Sequence, residues 1–413
     1  MTTSEMRTLS NRDYDLIVIG GGVLGVMIAL EATRRNLKPL LLERGRLGAA
    51  TSANSLRIVH GGLRYLQSLD LARHRESVAE RAWFLETFPD LVRPLACLMP
   101  LYGEGARRPL AFRAAFFLDR LLVGSALRGA RAAGGLPRSR ILSPSATRET
   151  FPGVLATDLR GAALWHDAII QDPARLLAKA LDWACAAGAS ALEGVAAVSL
   201  LAEGGKAGGV MARVAGDSED IPFRAPVVIN AAGPWAKDLA QSFGANAERL
   251  PNTILAWNLV IDRPPLASCA LALKARAAGA QTFFLVPWDG RMLAGTGYAP
   301  WIGGPDSPVP DERQTQVFLD ALNAAAPGLD LRRDQVSRIM AGLLPVSRTD
   351  GSQPADRDTI LDHAAFGGPK GLLSVVGVKL TTARALADRT LRHAFPTLAP
   401  CPYNTFPRPE PPA

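Results

Sequence analysis

The chain has 413 residues, 48% of them hydrophobic, which is enough to bury the core of two domains. Lysine and arginine (46) outnumber aspartate and glutamate (38), giving a formal net charge of +8. The arginines are scattered, and no basic run or nucleic-acid-binding module is found, which argues against a nucleic-acid partner.

The cysteines indicate a reducing compartment. None of the four, Cys97, Cys185, Cys269 and Cys401, belongs to a C-x-x-C pair, so neither a zinc site nor a redox dithiol is expected. The N-terminus has no apolar segment of the signal-peptide kind. We therefore expect a cytoplasmic protein without a metal site.

The first predicted strand, residues 15–20, ends in a glycine-rich turn, and a segment of helical composition follows over residues 23–35. Three glycines have the G-x-G-x-x-G spacing: Gly20, Gly22 and Gly25. In this motif the first glycine allows a tight turn, the second lets the backbone approach a pyrophosphate, and the third lets helix and strand pack closely. The helix N-terminus adds free N–H groups. This unit predicts a dinucleotide site.

The second predicted strand, residues 39–42, ends at Glu43, which can accept hydrogen bonds from a ribose. NAD and FAD both fit such a unit. From Arg44 onward the chain forms a loop with two small hydroxyl residues, Thr51 and Ser52. An ordinary NAD-binding domain continues here with another helix and strand, so the loop favours FAD.

Two later apolar strands are predicted to start at Val227 and Leu372, the second followed by a helix from about Ala383 to His393. Strands from the start, middle and end of the chain can build one sheet, and the intervening segments then form a second domain. Residues 192–214, interrupted by GGKAGG, predict a hairpin. Residues 252–297 are expected to supply strands of a mixed sheet.

Two amphipathic helices are also predicted. The first covers Leu71 to Phe88. The second covers Arg107 to Leu122 and mixes arginines with phenylalanine and leucine, a pattern that suits either an anionic membrane surface or a half-buried core helix.

Five stretches together carry a family resemblance: IVIGGGVLG, TSANSLRIVHGGLRYLQ, VINAAGPWAKDL, FLVPWDGRMLAGTGY and LLSVVGVKLTTARALAD. In them the chain resembles the FAD-dependent glycerol-3-phosphate dehydrogenases, within the D-amino-acid-oxidase-like flavoprotein superfamily. HGGLRYL and GVKLTTAR are particular to the glycerol-3-phosphate branch. The resemblance implies an α/β fold with a glutathione-reductase-like FAD-binding domain and a second domain with a mixed β-sheet.

The resemblance also implies a division of the chain. We expect a discontinuous FAD-binding domain (residues 13–90, 140–235 and 335–395) and a substrate domain (residues 91–139 and 236–334). Residues 1–12 are expected to be a flexible N-terminus, and residues 396–413 a proline-rich tail where the family has a further helical domain.

Non-covalent FAD is the cofactor that the resemblance implies. Its expected contacts are spread over the FAD-binding segments, with Val195 beside the adenine: Gly20, Gly22, Gly25, Glu43, Arg44, Thr51, Ser52, Gly61, Val195, Ala232, Gly233, Trp235, Gly342, Gly377, Lys379, Leu380 and Thr381.

The resemblance places five residues at the substrate: His60, Arg64, Tyr65, Arg357 and Lys379. A guanidinium such as that of Arg64 can bind an anionic group with two parallel hydrogen bonds. Lys379 can bind substrate or stabilise a developing alkoxide, and His60 and Lys379 are both candidates for the base. Without the resemblance, each of these residues also has a purely structural interpretation. Arg64 could pair with a core carboxylate, Tyr65 could cap a helix, and Lys379 could be a solvated side chain.

Two residues depart from the family pattern. Leu344 stands where the family has an arginine before Pro345, and Asn258 stands where it has a histidine. The loss of one charged hydrogen bond reduces transition-state stabilisation by about 2–4 kcal/mol. Fold and cofactor are unaffected by these changes, whereas glycerol 3-phosphate as the substrate is put in question.

The predicted activity is hydride transfer from a hydroxyl-bearing carbon of a small anionic or polyol-type substrate to flavin N5, with quinone or oxygen as the final acceptor. Three alternatives stay open: an amine or amino-acid oxidase, a 2-hydroxyacid dehydrogenase, and an FAD-binding interaction protein without catalysis. Quinone-reducing family members are peripheral membrane proteins, so a position on the inner face of the membrane is a further expectation.

Overall fold

A computed structural model describes residues 3–103, 108–126, 136–275, 281–347 and 353–398. The helices are α1 (Thr3–Ser10), α2 (Val23–Thr33), α3 (Leu63–Gln67), α4 (Leu71–Thr87), α5 (Pro109–Ala126), α6 (Pro144–Thr150), α7 (Pro173–Ala186), α8 (Ala236–Ser242), α9 (Glu312–Ala325) and α10 (Ala383–Ala394). Short 3-10 helices cover Gly233–Trp235, Arg333–Gln335 and His363–Phe366.

The strands are β1 (Leu16–Ile19), β2 (Pro39–Glu43), β3 (Ile58–Val59), β4 (Val92–Pro100), β5 (Arg140–Leu142), β6 (Ala162–Ile170), β7 (Ser190–Glu193), β8 (Val195–Glu203), β9 (Lys206–Val214), β10 (Asp220–Arg224), β11 (Val227–Asn230), β12 (Thr253–Ile261), β13 (Ala270–Lys274), β14 (Thr282–Trp288), β15 (Arg291–Pro300), β16 (Val336–Pro345), β17 (Thr359–Asp362) and β18 (Leu372–Val376).

A six-stranded sheet in the order β17-β18-β11-β1-β2-β7 carries the predicted dinucleotide unit. Its strands run parallel except for the antiparallel β17 at the edge. Strands β1 and β11 are buried along their whole length, as expected for a parallel sheet covered on both faces. The prediction that strands from the start, middle and end of the chain share one sheet is confirmed.

One face of this sheet packs against α2, α7 and α10. Helix α2 is buried at ten of its eleven positions, which agrees with its nearly all-apolar sequence VLGVMIALEAT. The other face packs against a three-stranded antiparallel sheet, β10-β9-β8. Strands β8 and β9 form the predicted hairpin.

The N-terminus differs from the expected flexible segment. Residues 3–10 form α1, and Met6 is fully buried among residues of the three-stranded sheet, including Ile221 and Phe223. This apolar contact holds the segment in place, which composition alone did not indicate.

The chain also forms a nine-stranded mixed sheet. Its strand order is β16-β12-β15-β14-β13-β4-β6-β3, and β5 also pairs with β6. The β13–β4 pair is parallel and its neighbours are antiparallel. The expected mixed sheet is therefore present. It includes β3, β5, β6 and β16, which the predicted division placed in the FAD-binding segments, so the boundaries themselves stay a prediction.

Both predicted amphipathic helices form. Helix α4 begins at the Asp70 cap, whose side chain accepts from the Arg73 N–H. In α5, Phe112 and Phe116 are buried, whereas Leu110, Phe117 and Leu121 are exposed by 75%, 67% and 57%. The half-buried interpretation of this helix is thus correct for one face, and the other face exposes large apolar side chains.

Some predictions concern residues outside the ranges above: Arg107 at the start of the second amphipathic helix, Cys401, and the tail beyond residue 398. Within the described ranges, no helix has the length and hydropathy needed to span a bilayer.

Candidate active site

The turn between β1 and α2 requires glycine at two positions of the motif. Gly20 has a φ of +111°, and a Cβ there would lie 2.5 Å from the Ala231 carbonyl oxygen. A Cβ on Gly25 would collide with the Gly20 carbonyl oxygen. Gly22 is less crowded, since its Cβ would meet only Ser52 Oγ, at 3.3 Å. A phosphate can therefore approach the start of α2 from this side.

Side chains of β2 and of the loop after it surround this turn. Glu43 Oε2 accepts from the Gly21 N–H (2.6 Å), and Glu43 Oε1 accepts from the Gly45 N–H (2.7 Å). Ser52 Oγ accepts from the Val23 N–H (3.0 Å). The carboxylate thus ends β2 next to the phosphate-binding turn, where the ribose of a dinucleotide would lie.

The loop of residues 44–55 packs on β16. Thr51 Oγ1 accepts from the Leu343 N–H (3.3 Å), and a Cβ on Gly342 would lie 2.9 Å from the same oxygen. Ser55 Oγ, further along the loop, is buried and has no hydrogen-bond partner among the described residues. A buried hydroxyl without a partner is costly, so a ligand atom at this point would satisfy it.

An exposed ion pair lies on the loop that follows Glu43. Arg44 lies over the Trp235 ring, 4.3 Å from its centroid, and both side chains bond Asp306, at 2.6 and 2.9 Å. A cleft of about 260 Å³ lies beside them and is lined by Ala49, Ala50, Thr51, Asn54, Pro234, Trp235, Pro305, Asp306, Pro308, Val309, Ile339, Ala341, Gly342 and Leu343.

Three further residues that were predicted to contact FAD lie on other elements. Val195 is fully buried at the start of β8. Ala232 follows β11, and its N–H donates to Asn230 Oδ1 (3.2 Å). Gly233 has a φ of +57° at the start of a 3-10 helix that ends at Trp235.

The two stretches particular to the glycerol-3-phosphate branch meet each other. The His60 N–H donates to Thr381 Oγ1 (3.3 Å), which joins the HGGLRY segment to the GVKLTT loop. The imidazole of His60 is 44% exposed, lies 5.4 Å from the Phe284 ring centroid and contacts Asp167 through Nδ1 (3.2 Å). The Gly61 N–H donates to the same carboxylate (2.7 Å).

Asp167 is buried in β6 and keeps its charge. Burial alone would raise the pKa of Asp167, but the His60 ring, the Arg81 guanidinium and the Gly61 amide lower that pKa to about 2. An ionised carboxylate is therefore fixed beneath the HGG turn.

Two cations and two phenols lie around the meeting point. Lys379 Nζ is 4.5 Å from the centroid of the buried Tyr65 ring. Burial, helped by the positive charge of the exposed Arg64, lowers the pKa of Lys379 to about 8. Burial raises the pKa of Tyr298, while the Thr296 hydroxyl and the Arg64 charge oppose this rise. Lys379 thus contacts Tyr65, and the charge of Arg64 acts on both Lys379 and Tyr298.

Three predicted residues are less closely tied to this group. Arg357 is exposed, and its charge acts on Asp70 at the start of α4. Leu380 is half-buried against the core between the six-stranded sheet and its helices, and a Cβ on Gly377 would lie 3.2 Å from Leu386. The roles of these residues stay predictions.

The two departures from the family pattern have different settings. Asn258 is buried, donates to the Asn54 carbonyl oxygen (2.8 Å) and accepts from Thr296 Oγ1 (2.9 Å). It therefore connects the cofactor loop to β15 near Tyr298. Leu344 is half-buried and paired with Ile254 in the sheet.

These features fit a flavin dinucleotide. The glycine turn leaves one side open for a pyrophosphate, and Glu43 ends β2 beside that turn. The Ser55 hydroxyl, without a partner among the residues described, lies further along the chain. The model of the FAD dependent oxidoreductase family matches residues 15–390. The chain belongs to this family. It is an FAD-dependent oxidoreductase, and FAD is its cofactor.

Proteins that are similar to this chain agree with the family assignment. A glycerol-3-phosphate dehydrogenase of Synechocystis is 30% identical over 97% of this chain and 74% of its own length. Glycerol-3-phosphate dehydrogenase 1 of Mycobacterium tuberculosis is 34% identical over 92% of this chain and 72% of its own length. The crystal structure of the Bacillus halodurans glycerol-3-phosphate dehydrogenase complexed with FAD is 26% identical, with a TM-score of 0.73 over 96% of this chain and 67% of its own.

Sequence reasoning missed Asp167 and Tyr298. A single carboxylate inside the mostly apolar strand AALWHDAII was a usable signal, because a buried charge needs partners. Tyr298 had no comparable signal, since an aromatic residue in a strand is ordinarily part of a core.

Proposed function

We propose that the protein oxidises a hydroxyl-bearing carbon of a small anionic substrate, with glycerol 3-phosphate as the first candidate. The main support is the contact between the HGGLRY and GVKLTT segments, which places the Lys379 cation over the Tyr65 ring, with the charge of Arg64 acting on Lys379 and on the Tyr298 phenol. Such a group suits an anion that also carries hydroxyls, because the cations neutralise it and the phenols offer hydrogen bonds.

Arg64 and Lys379 would bind the anionic end. Because the pKa of Lys379 is about 8, this lysine is mostly protonated near neutral pH and serves better as a cation than as a base. That leaves His60 as the proton acceptor. When bound, FAD supplies the hydride acceptor at N5. The chain's own residues then orient the carbon, hold the anion and take the hydroxyl proton.

The test is anaerobic reduction of the FAD-loaded protein, monitored through the loss of oxidised flavin absorbance. We expect glycerol 3-phosphate to bleach the flavin, and Arg64→Ala to keep its FAD but lose this bleaching. Arg224→Ala, which removes an exposed arginine of β10, is the matched control and should behave as the wild type. Bleaching that persists in Arg64→Ala would contradict the assignment of Arg64.

An amine or amino-acid substrate is the second candidate, favoured by Leu344 and Asn258 at positions where the glycerol-3-phosphate branch has an arginine and a histidine. A 2-hydroxyacid is a third. The same assay with a panel of one 2-hydroxyacid, one amino acid and one secondary amine separates these classes. Bound FAD that no compound bleaches would instead indicate a non-catalytic FAD-binding protein.

We further propose that α5 lies on an anionic membrane surface. Its exposed Leu110, Phe117 and Leu121 are accompanied by the exposed Arg113 and Arg120, so the uncovered face is both apolar and basic. We expect co-sedimentation with vesicles containing phosphatidylglycerol but not with neutral vesicles. Phe117→Glu should abolish the binding, and Val317→Glu, at a comparably exposed valine of α9, should not.

The final electron acceptor would be a quinone or oxygen. Mixing the reduced protein with a short-chain quinone or with oxygenated buffer, and comparing the rates at which flavin absorbance returns, decides between them. A membrane position favours the quinone, because quinones are dissolved in the bilayer.

A further inference from the structure

Asp167 is contacted by hydrogen-bond donors from several elements of the fold. It is 3% exposed within β6, a mostly apolar strand. Oδ1 accepts from the Gly61 N–H (2.7 Å) and lies 3.4 Å from Arg81 Nη1. Oδ2 accepts from Trp165 Nε1 (3.2 Å) and lies 3.2 Å from His60 Nδ1. Both oxygens are therefore engaged, and His60 is the only one of these partners that can change its protonation.

This arrangement determines how His60 is protonated. An ionised carboxylate only accepts hydrogen bonds, so a neutral His60 that bonds Asp167 must carry its hydrogen on Nδ1. The lone pair is then on Nε2. The imidazole is 44% exposed, unlike the buried carboxylate behind it, so it is accessible while its orientation is fixed.

We propose that Asp167 is a positioning residue that holds His60 as the Nδ1–H tautomer and thereby makes Nε2 the proton acceptor of the reaction. This inference rests on the proposed function, since it assigns the base for alcohol oxidation. The substrate O–H bond breaks and its proton goes to His60 Nε2. The C–H hydrogen leaves with its electron pair to the bound flavin, and the carbon–oxygen bond becomes a carbonyl.

Asp167→Asn tests the proposal because it preserves shape. With its amide oxygen on the Gly61 N–H, the asparagine presents an NH₂ group to His60 Nδ1, and this favours the opposite tautomer. We expect unchanged FAD content and an unchanged dissociation constant for sulfate, which is used here in place of the anionic end of the substrate. Flavin reduction should be slower by about 10²–10⁴-fold, as when the analogous aspartate of a catalytic triad is replaced. Trp165→Phe is the matched control, because it removes one donor from Asp167 but leaves the carboxylate; its reduction rate should stay near that of the wild type.

A second measurement needs no substrate. Nitrogen-15 NMR of histidine-labelled protein, with His60→Gln to assign the signal among the five histidines, reports the tautomer directly. We expect Nδ1–H in the wild type and Nε2–H in Asp167→Asn. An Nε2–H tautomer in the wild type, or wild-type reduction by Asp167→Asn, overturns the proposal. Because the NMR result does not depend on turnover, a failure of glycerol 3-phosphate as substrate is distinguishable from a failure of this inference.

Discussion

Replacing Gly20 by alanine should strongly weaken FAD binding. Gly20 ends β1 and begins the turn that we assign to the pyrophosphate. Its φ of +111° is a conformation that residues with a Cβ rarely adopt. The added Cβ would also lie 2.5 Å from the Ala231 carbonyl oxygen, whereas real Cβ atoms essentially never come closer than 3.0 Å.

The size of the effect follows from these two terms. Backbone strain of this kind costs about 1–3 kcal/mol. Overpacking costs a further ~1–3 kcal/mol. The turn must therefore move away from β11, and the N–H groups at the start of α2 move with it. Together the two terms amount to about 2–6 kcal/mol. Since 1.4 kcal/mol corresponds to a factor of ten, we expect FAD affinity to fall by about 30-fold to 10⁴-fold.

The assay is the FAD content per chain after desalting, followed by titration of the apoprotein with FAD and detection by quenching of flavin fluorescence. Gly304→Ala is the matched control, because a Cβ at Gly304 meets no atom within 4 Å. We expect the control to retain FAD. Equal FAD content and affinity in the two variants would refute the assignment of the turn.

Two further predictions concern charge. Because the pKa of Lys379 is about 8, the Lys379 cation is present below that pH and is lost above it. The dissociation constant for sulfate should therefore rise above pH 8, by up to tenfold per pH unit. It is measured from the change that bound sulfate causes in the flavin spectrum. Lys379→Met should bind sulfate weakly with little change between pH 7 and 9, and parallel curves for the two proteins would contradict the assignment. Arg384 bonds the buried Glu80 and lies 3.6 Å from Glu31, so Arg384→Leu should lower the free energy of unfolding in urea by about 3–5 kcal/mol. The exposed Arg392 is the control, and Arg392→Ala should change stability by about 0–1 kcal/mol; similar losses in both variants would show that Arg384 is not a buried pairing residue.

The dinucleotide unit was predictable because its signals are local. Strand β1, the glycine turn, α2 and β2 follow each other within thirty residues, and each has a composition that fits its conformation. Strands β11 and β18 were found in the same way, as short apolar runs bounded by small residues. Their place in one sheet followed from the rule that such runs pair in parallel layers.

The pocket was predictable only in part. The meeting of the HGGLRY and GVKLTT segments followed from the family resemblance, because no local rule joins residues 60 and 381. The apolar strand around Asp167 signalled that the carboxylate must have partners, but not that His60 and Gly61 provide them. The burial of Met6 was hidden for the same reason, since it depends on a sheet formed more than 180 residues later.

The central claim is oxidation at a hydroxyl-bearing carbon, and one measurement tests it most directly. The FAD-loaded protein is mixed anaerobically in a stopped-flow instrument with glycerol 3-phosphate carrying hydrogen or deuterium at C2, and the loss of oxidised flavin absorbance is timed. Our account predicts bleaching that deuterium slows severalfold, because the C2–H bond breaks as the flavin is reduced. Absence of bleaching, or bleaching at the same rate with both compounds, would contradict it.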